Sequence, residues 1–231
     1  SRGVTQRNFD PPPRCCEVEF RLRLQDRMNS TGATRDMKEK LSFSPDKRTW
    51  RPSPLLGQIV LVTSLNKDGQ SNVAPKSWLF MMAFEPSLLA LGCNLAHWTA
   101  QNILRRQEFV VNIAGDELAE VVWRSHALPH PRTVEGIGLT PIPAQVVGPP
   151  LIEECKAHLE CRLVQHLGFG AERILLGQVV AASMDREAVE ADDPLAYLRL
   201  FTFLENGTYG VIEKGRRFRE KSDLGVDSLS I

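Results

Sequence analysis

The residues best equipped for chemistry fall in two irregular stretches, Asn72-Val73-Ala74-Pro75-Lys76-Ser77-Trp78 and Cys93-Asn94-Leu95-Ala96-His97-Trp98-Thr99. Amides, hydroxyls, an ammonium and an imidazole gather there, where a plain connector needs none of them. That pattern suits a ligand cradle. A helical stretch, Ala100 to Gln107, opens at Thr99, and the first backbone N–H groups of a helix have no partner inside it. Such an end attracts anions.

The elements that must position these residues can be read from periodicity. Gln58 to Thr63 is β-branched and apolar, Asn66-Lys67-Asp68-Gly69 supplies turn chemistry, and the chain returns through Ser71 to Ala74, which predicts a hairpin. Ser64, Asn72 and Ser77 then lie near its ends. Leu88 to Cys93 is a buried-strand run, Glu108 to Ile113 a further strand, and Asp116 to Arg124 a short helix beginning at Gly115-Asp116. Between Leu151 and Leu167 two periods compete: Leu151, Ile152, Cys155 and Leu159 fit a helical stripe, while Ala157, Leu159, Cys161 and Leu163 alternate as a half-buried strand does. The second half favours strand. Ile174 to Ser183 is strand again, and repeated antiparallel strands with few helices predict a mainly β, barrel-like core.

Composition narrows the function classes. With 231 residues, 42% of them hydrophobic, and no apolar run long enough to cross a bilayer, the chain suits one soluble domain plus a tail. Basic and acidic residues both total 28, so no global field draws nucleic acid, and the cluster Lys214 to Arg219 is brief and flanked by Glu213 and Glu220. Five cysteines cannot all pair within one chain, and no secretory signal is visible, so a reducing, cytoplasmic setting is expected. Residues 1 to 49, with Pro11-Pro12-Pro13, many charges and scattered hydrophobes, are expected to form a disordered N-terminal extension. An organelle-targeting peptide ranks below that, because Asp10, Glu17, Glu19, Asp26 and Asp36 dilute the arginines. A second reading makes Phe20, Leu22 and Leu24, alternating with Arg21 and Arg23, an edge strand. Met28 and Met37 leave room for an internal start. The folded domain is placed at 50–215 and a C-terminal tail at 216–231.

Other constellations weigh less. Gly168-Phe169-Gly170 lacks the third glycine of a dinucleotide fingerprint and precedes a strand, so it reads as a turn. His126 and His130 are four apart, but Pro129 and Pro131 keep them off one helical face, and a loop without metal is favoured. Cys93 and Cys161 fall in apolar strands, where cysteine behaves as a small hydrophobe. No hydrolytic triad, catalytic acid or base, or metal ligand set emerges.

The ordered set Val62-Thr63-Ser64, Asp68-Gly69, Asn72 to Ser77, Thr99 to Ile103, Glu108 to Asn112, His158-Leu159-Glu160-Cys161-Arg162 and Leu176 to Val179 resembles the flavin reductase-like proteins with an FMN-binding split barrel, over roughly residues 50 to 215. The resemblance implies a homodimer with one FMN per subunit near the interface and, in many members, hydride transfer from NADH or NADPH to the flavin. Carried over by position, Thr63, Ser64, Asn72, Ala74, Pro75, Lys76, Ser77 and Trp78 would line the flavin. Asn94, Thr99 and Asn102 would sit toward its phosphate. The physics agrees: a flavin needs a flat apolar wall and spare polar backbone groups, which Pro75 provides by interrupting a strand ladder, and its phosphate needs hydroxyls, helix-terminal N–H groups and a cation.

The chain also departs from the family's pattern. Members commonly carry Lys-Asp-Thr before the helix, where His97-Trp98-Thr99 stand here, and many place a histidine where Glu172-Arg173 stand. The leading expectation is therefore an FMN-binding flavoprotein oxidoreductase with NADH or NADPH as cosubstrate, passing electrons to a monooxygenase or other acceptor. An FMN-binding electron carrier or sensor without nicotinamide activity is the alternative, with a degenerate structural homodimer as a third. FMN is expected in preference to FAD. The apolar segments Trp78 to Phe84 and Leu195 to Phe203 exceed what a small barrel must bury, which agrees with the expected dimer.

Overall fold

The computed structural model describes residues 42–43, 55–204 and 207–215. The expected C-terminal tail lies outside the described residues, as does the N-terminal extension apart from Ser42 and Phe43, together with its alternative edge strand.

The predicted hairpin is present as β1 (Val60–Leu65) and β2 (Ser71–Lys76), paired antiparallel with Ser64 opposite Asn72 and Val60 opposite Lys76. Its turn closes through Asn66 N–H to the Gln70 carbonyl at 2.8 Å, and Gly69 adopts φ 87°, a left-handed value that favours glycine. There follow β3 (Leu79–Phe84), β4 (Ser87–Asn94), helix α1 (Trp98–Arg106), β5 (Glu108–Ile113) and helix α2 (Ala119–Ser125), which a 3-10 turn at Asp116–Leu118 precedes. The short β6 (Pro141–Ile142) pairs with β7 (Leu151–Ile152), and β8 (Ala157–Phe169) runs into β9 (Glu172–Met184). Helices α3 (Arg186–Glu190) and α4 (Pro194–Leu198) lead to the β10 (Phe201–Phe203) and β11 (Tyr209–Val211) ribbon.

Seven strands form one antiparallel sheet in the order β2-β1-β5-β8-β9-β4-β3. Helix α1 packs against β1 and β2 near one edge and against β4 near the other, so the sheet curls around it. Val60, Val62, Leu91, Ile103, Phe109 and Leu175 fill the space enclosed. A second core lies on the opposite face, built on Ile59, Leu61, Val73, Val122, Val134 and Phe201. Strand β1 is thus buried on both faces, which is why Ile59 to Val62 is an unbroken apolar run rather than an alternation. Each fully buried Leu61, Leu91 or Phe109 side chain contributes about 1.5–3 kcal/mol.

The competing readings of 151–167 resolve by position. Leu151 and Ile152 belong to the short β7, a turn carries Cys155, and the strand starts at Ala157. The helical stripe arose because Leu151, Ile152 and Cys155 are all buried although no helix presents them. The Trp78 to Phe84 segment is not core: Phe80, Met82 and Phe84 on β3 are 60%, 59% and 83% exposed.

Candidate functional site

Two segments converge beside α1: the end of β2 with its passage into β3, and the end of β4 with the turn into the helix. The second is shaped by Asn94, whose side-chain Oδ1 accepts the Ala96 N–H at 2.9 Å while its carbonyl accepts the His97 N–H at 3.0 Å. That turn carries the His97 ring back over the sheet. Its Nδ1 lies 3.3 Å from Lys76 Nζ and 3.7 Å from Cys93 Sγ. An ammonium has only donors, so Nδ1 accepts and His97 is neutral when the contact forms. Burial, then Lys76, push the His97 pKa below its ordinary value, and burial pushes the Cys93 thiol up.

Helix α1 begins two residues before the expected position. His97 is its N-cap, makes no side-chain capping bond, and no acidic residue stands in the first turn. Among the described residues no side-chain cap or first-turn carboxylate offsets the positive end of the helix. Thr99, expected to open the helix, lies inside that first turn and is buried.

Two clefts flank the Lys76–His97 contact and share Pro75. The first, about 390 Å³, is walled by Ala74, Pro75, Lys76, His97 and Thr99, with Arg132 opposite. The second, about 330 Å³, is walled by Ser77, Trp78, Gly92, Asn94 and Glu172. Both fall within the range of small-molecule sites. The Trp78 indole lies over Gly92, where a Cβ would come within 3.0 Å of the ring, so glycine leaves room for a flat apolar wall with its other side open. Asn94 Nδ2 donates to Glu172 Oε1 at 2.7 Å across this cleft.

The sequence-predicted residues separate into two sets. Ala74, Pro75, Lys76, Ser77, Trp78, Asn94 and Thr99 line the clefts. Thr63, Ser64, Asn72 and Asn102 do not; they are buried behind the wall. Thr63 Oγ1 donates to the Pro150 carbonyl at 2.6 Å. Ser64 Oγ accepts from Asn102 Nδ2 at 3.2 Å and from Asn72 Nδ2 at 3.5 Å, and Asn102 Nδ2 also donates to Asn66 Oδ1 at 2.8 Å. Ser64, Asn66, Asn72 and Asn102 thereby tie the hairpin to α1. Among the described residues Asn72 Oδ1 is buried without a hydrogen-bond partner.

Sequence reasoning weighed His126 and His130 only as metal ligands and passed over Arg132, yet all three line the first cleft. The Arg132 guanidinium braces its loop by donating to the Leu128 and His126 carbonyls at 3.0 and 2.9 Å, and its own carbonyl accepts the Val73 N–H of β2 at 2.8 Å. Burial lowers the Arg132 pKa; burial, then Arg132 and Lys76, lower that of His130. The available signal was Pro129 and Pro131, which fix a loop that holds basic groups in place. Among the described residues no cluster suits a metal ion.

The motif at 158–162 is structural. Glu160, buried, accepts the backbone N–H groups of Gln145, Val146 and Val147 at 2.9, 2.7 and 3.1 Å. His158 Nδ1 meets Asn112 Oδ1 at 3.0 Å, and Arg162 pairs with Glu108 at 3.5 Å.

Residues 54–200 match the flavin reductase like domain family. Among solved structures, nitrilotriacetate monooxygenase component B from Bacillus cereus is 25% identical, covers 79% of this chain and 100% of its own, and superposes with a TM-score of 0.70. A split-barrel protein from Shewanella frigidimarina is 19% identical over 71% of this chain and 86% of its own, with a TM-score of 0.64. An FMN-binding protein from Thermus thermophilus is 16% identical over 78% of this chain and 100% of its own, with a TM-score of 0.67. The curled sheet is the split barrel of these proteins.

Proposed function

Because the chain belongs to the flavin reductase like domain family, we propose that it is an FMN-binding flavoprotein oxidoreductase that takes hydride from NADH or NADPH. The observation that carries this reading is the first cleft, where Lys76 and the uncapped positive end of α1 meet in one cavity of about 390 Å³. A phosphate dianion needs a cation, a hydroxyl and backbone donors, and Lys76, Thr99 and the first turn of α1 offer them. Pro75 and Trp78 offer flat apolar surface for the ring, so the residues present fit FMN.

When bound, the flavin supplies the two-electron chemistry, and the protein supplies binding, orientation and exclusion of water. Lys76 balances phosphate charge. In the empty cleft neutral His97 holds that ammonium in place by accepting one of its hydrogens. No side-chain acid or base is assigned, since hydride transfer requires stacked rings rather than a proton relay.

The exposed apolar edge at β3 supports a homodimer with the flavin near the shared face. The name of the Bacillus cereus relative supports a monooxygenase as the electron acceptor. Free, buried Cys93, Cys155 and Cys161 suit a reducing, cytoplasmic setting. One observation favours the carrier reading: the Asn94–Glu172 contact spans the second cleft and puts a carboxylate there, which disfavours an anionic dinucleotide in that cleft.

A spectrum of purified protein, followed by anaerobic NADH or NADPH, decides. A yellow protein that bleaches supports the oxidoreductase; one that stays yellow supports the carrier. A colourless protein that FMN cannot reconstitute defeats both and leaves the structural homodimer.

A further inference from the structure

We propose that Arg132 and His130 recognise a second phosphoryl group, beyond the one FMN carries, so that the first cleft accepts the diphosphate of a dinucleotide. The proposal rests on the flavin reading above.

The cleft holds more positive charge than one phosphate requires. Lys76 and Arg132 contribute fixed charges, three imidazoles stand among them, and among the described residues none that lines it is acidic. Lys76 and the end of α1 suffice for the FMN phosphate on one wall. Arg132 and His130 line the same cavity from the loop beside β2, with no carboxylate among the described lining residues to balance them. Arg132 uses Nε and one Nη2 hydrogen on neutral carbonyls and forms no ion pair among the described residues. Its remaining N–H groups keep the planar fork that matches phosphoryl oxygens.

Placement of this fork is rigid. The Arg132 carbonyl is clipped to Val73 on β2 at 2.8 Å, three residues before Lys76, so the loop is held beside the strand that carries the ammonium. His130 feels both Arg132 and Lys76, and His97 feels His130, so the charges act on one another across a single space. Like charges held together oppose the compact state until an anion occupies the gap. A second phosphoryl group relieves that repulsion. Two ligands carry one: FAD, through its adenylate half, and the nicotinamide dinucleotides.

The test is equilibrium binding to the full chain, followed by fluorescence or calorimetry, with riboflavin, FMN and FAD on the apo-protein and ADP-ribose on the FMN-loaded protein. Arg132→Gln should leave riboflavin and FMN within about twofold and weaken either FAD or ADP-ribose about tenfold or more, as for loss of a charge-assisted contact. FAD alone affected names the flavin as the source; ADP-ribose alone affected names the nicotinamide dinucleotide. Because Arg132 braces its loop, His130→Ala, which removes no such brace, should weaken the same ligand about threefold while the melting temperature holds. Equal weakening of FMN and the larger ligand makes this a one-phosphate site and overturns the proposal, as does no change in any ligand. Should no flavin bind, the flavin reading fails separately, and ADP-ribose binding to wild type that His130→Ala weakens still upholds the phosphoryl site. Its absence overturns it.

Discussion

Lys76 Nζ stands 3.3 Å from His97 Nδ1, at the point where β2 meets the start of α1. The imidazole also faces Cys93, Glu172 and His130; burial, Lys76 and His130 push its pKa down, and only Glu172 pulls it up. A base with a depressed folded pKa makes the empty protein lose stability as pH falls below the ordinary histidine value, because the unfolded chain binds that proton more readily. Phosphate in the cleft reverses the balance and favours the imidazolium.

FMN binding should therefore take up protons and tighten as pH falls from 8 to 6.5, by up to about tenfold for each unit by which the bound His97 pKa rises. Riboflavin affinity should stay flat. Calorimetry in two buffers of different ionisation enthalpy measures the proton uptake directly. His97→Gln should abolish it, and a pH-independent FMN affinity in the wild type would remove His97 from the phosphate environment.

Thr99→Ala should weaken FMN about tenfold, in line with loss of a hydrogen bond to a charged group, and riboflavin less than twofold. Thr99 is not the helix cap, so the usual capping penalty of about 1 kcal/mol does not apply, and alanine is the better helix former. Unchanged thermal unfolding alongside weakened FMN binding separates a ligand contact from a folding defect. Equal losses for both flavins would place the phosphate elsewhere.

Much of this frame was legible because local chemistry and tertiary packing agree. Asn66 to Gly69 forms the turn its residues demand, and Glu108 to Ile113 is a strand over the expected span. Depth was not legible. Ser64 and Asn72 look like ligand contacts in sequence, and only the curl of the sheet against α1 shows that their partners are each other and Asn102. The opposite wall was missed for a related reason: His130 and Arg132 lie more than fifty residues from Lys76, and a backbone hydrogen bond to Val73 joins the two segments. Strand β3 was not legible as a strand, although Trp78 to Phe84 read as apolar surface beyond what a small barrel must bury, and its position at a sheet edge shows where that surface lies.

Glu160→Gln should destabilise the fold by about 2 kcal/mol or more, the range for a buried hydrogen bond to a charged group. The carboxylate accepts three N–H groups from Gln145 to Val147. An amide there turns one acceptor into a donor facing a donor. Denaturant unfolding reads the loss, and FMN affinity measured well below the transition should be nearly unchanged because the 145–147 loop does not line either cleft. Full stability in Glu160→Gln would show that these contacts are replaced by water.

The exposed edge strand gives the last prediction. Phe80, Met82 and Phe84 project from β3, which lies at the end of the sheet with Trp78 just before it, itself 58% exposed. An uncovered apolar edge of this kind invites pairing with another strand. Because Trp78 also walls the second cleft, a partner seated on β3 would reach the candidate site. The chain should therefore remain a dimer at low micromolar concentration, with an interface of about 2,000 Å² or more, as obligate pairs require. Phe80→Glu with Met82→Lys should shift light scattering toward monomer and weaken flavin binding together, since the site would lose its neighbour. A wild-type monomer that holds FMN with undiminished affinity on dilution would separate the edge from the site and sink this arrangement.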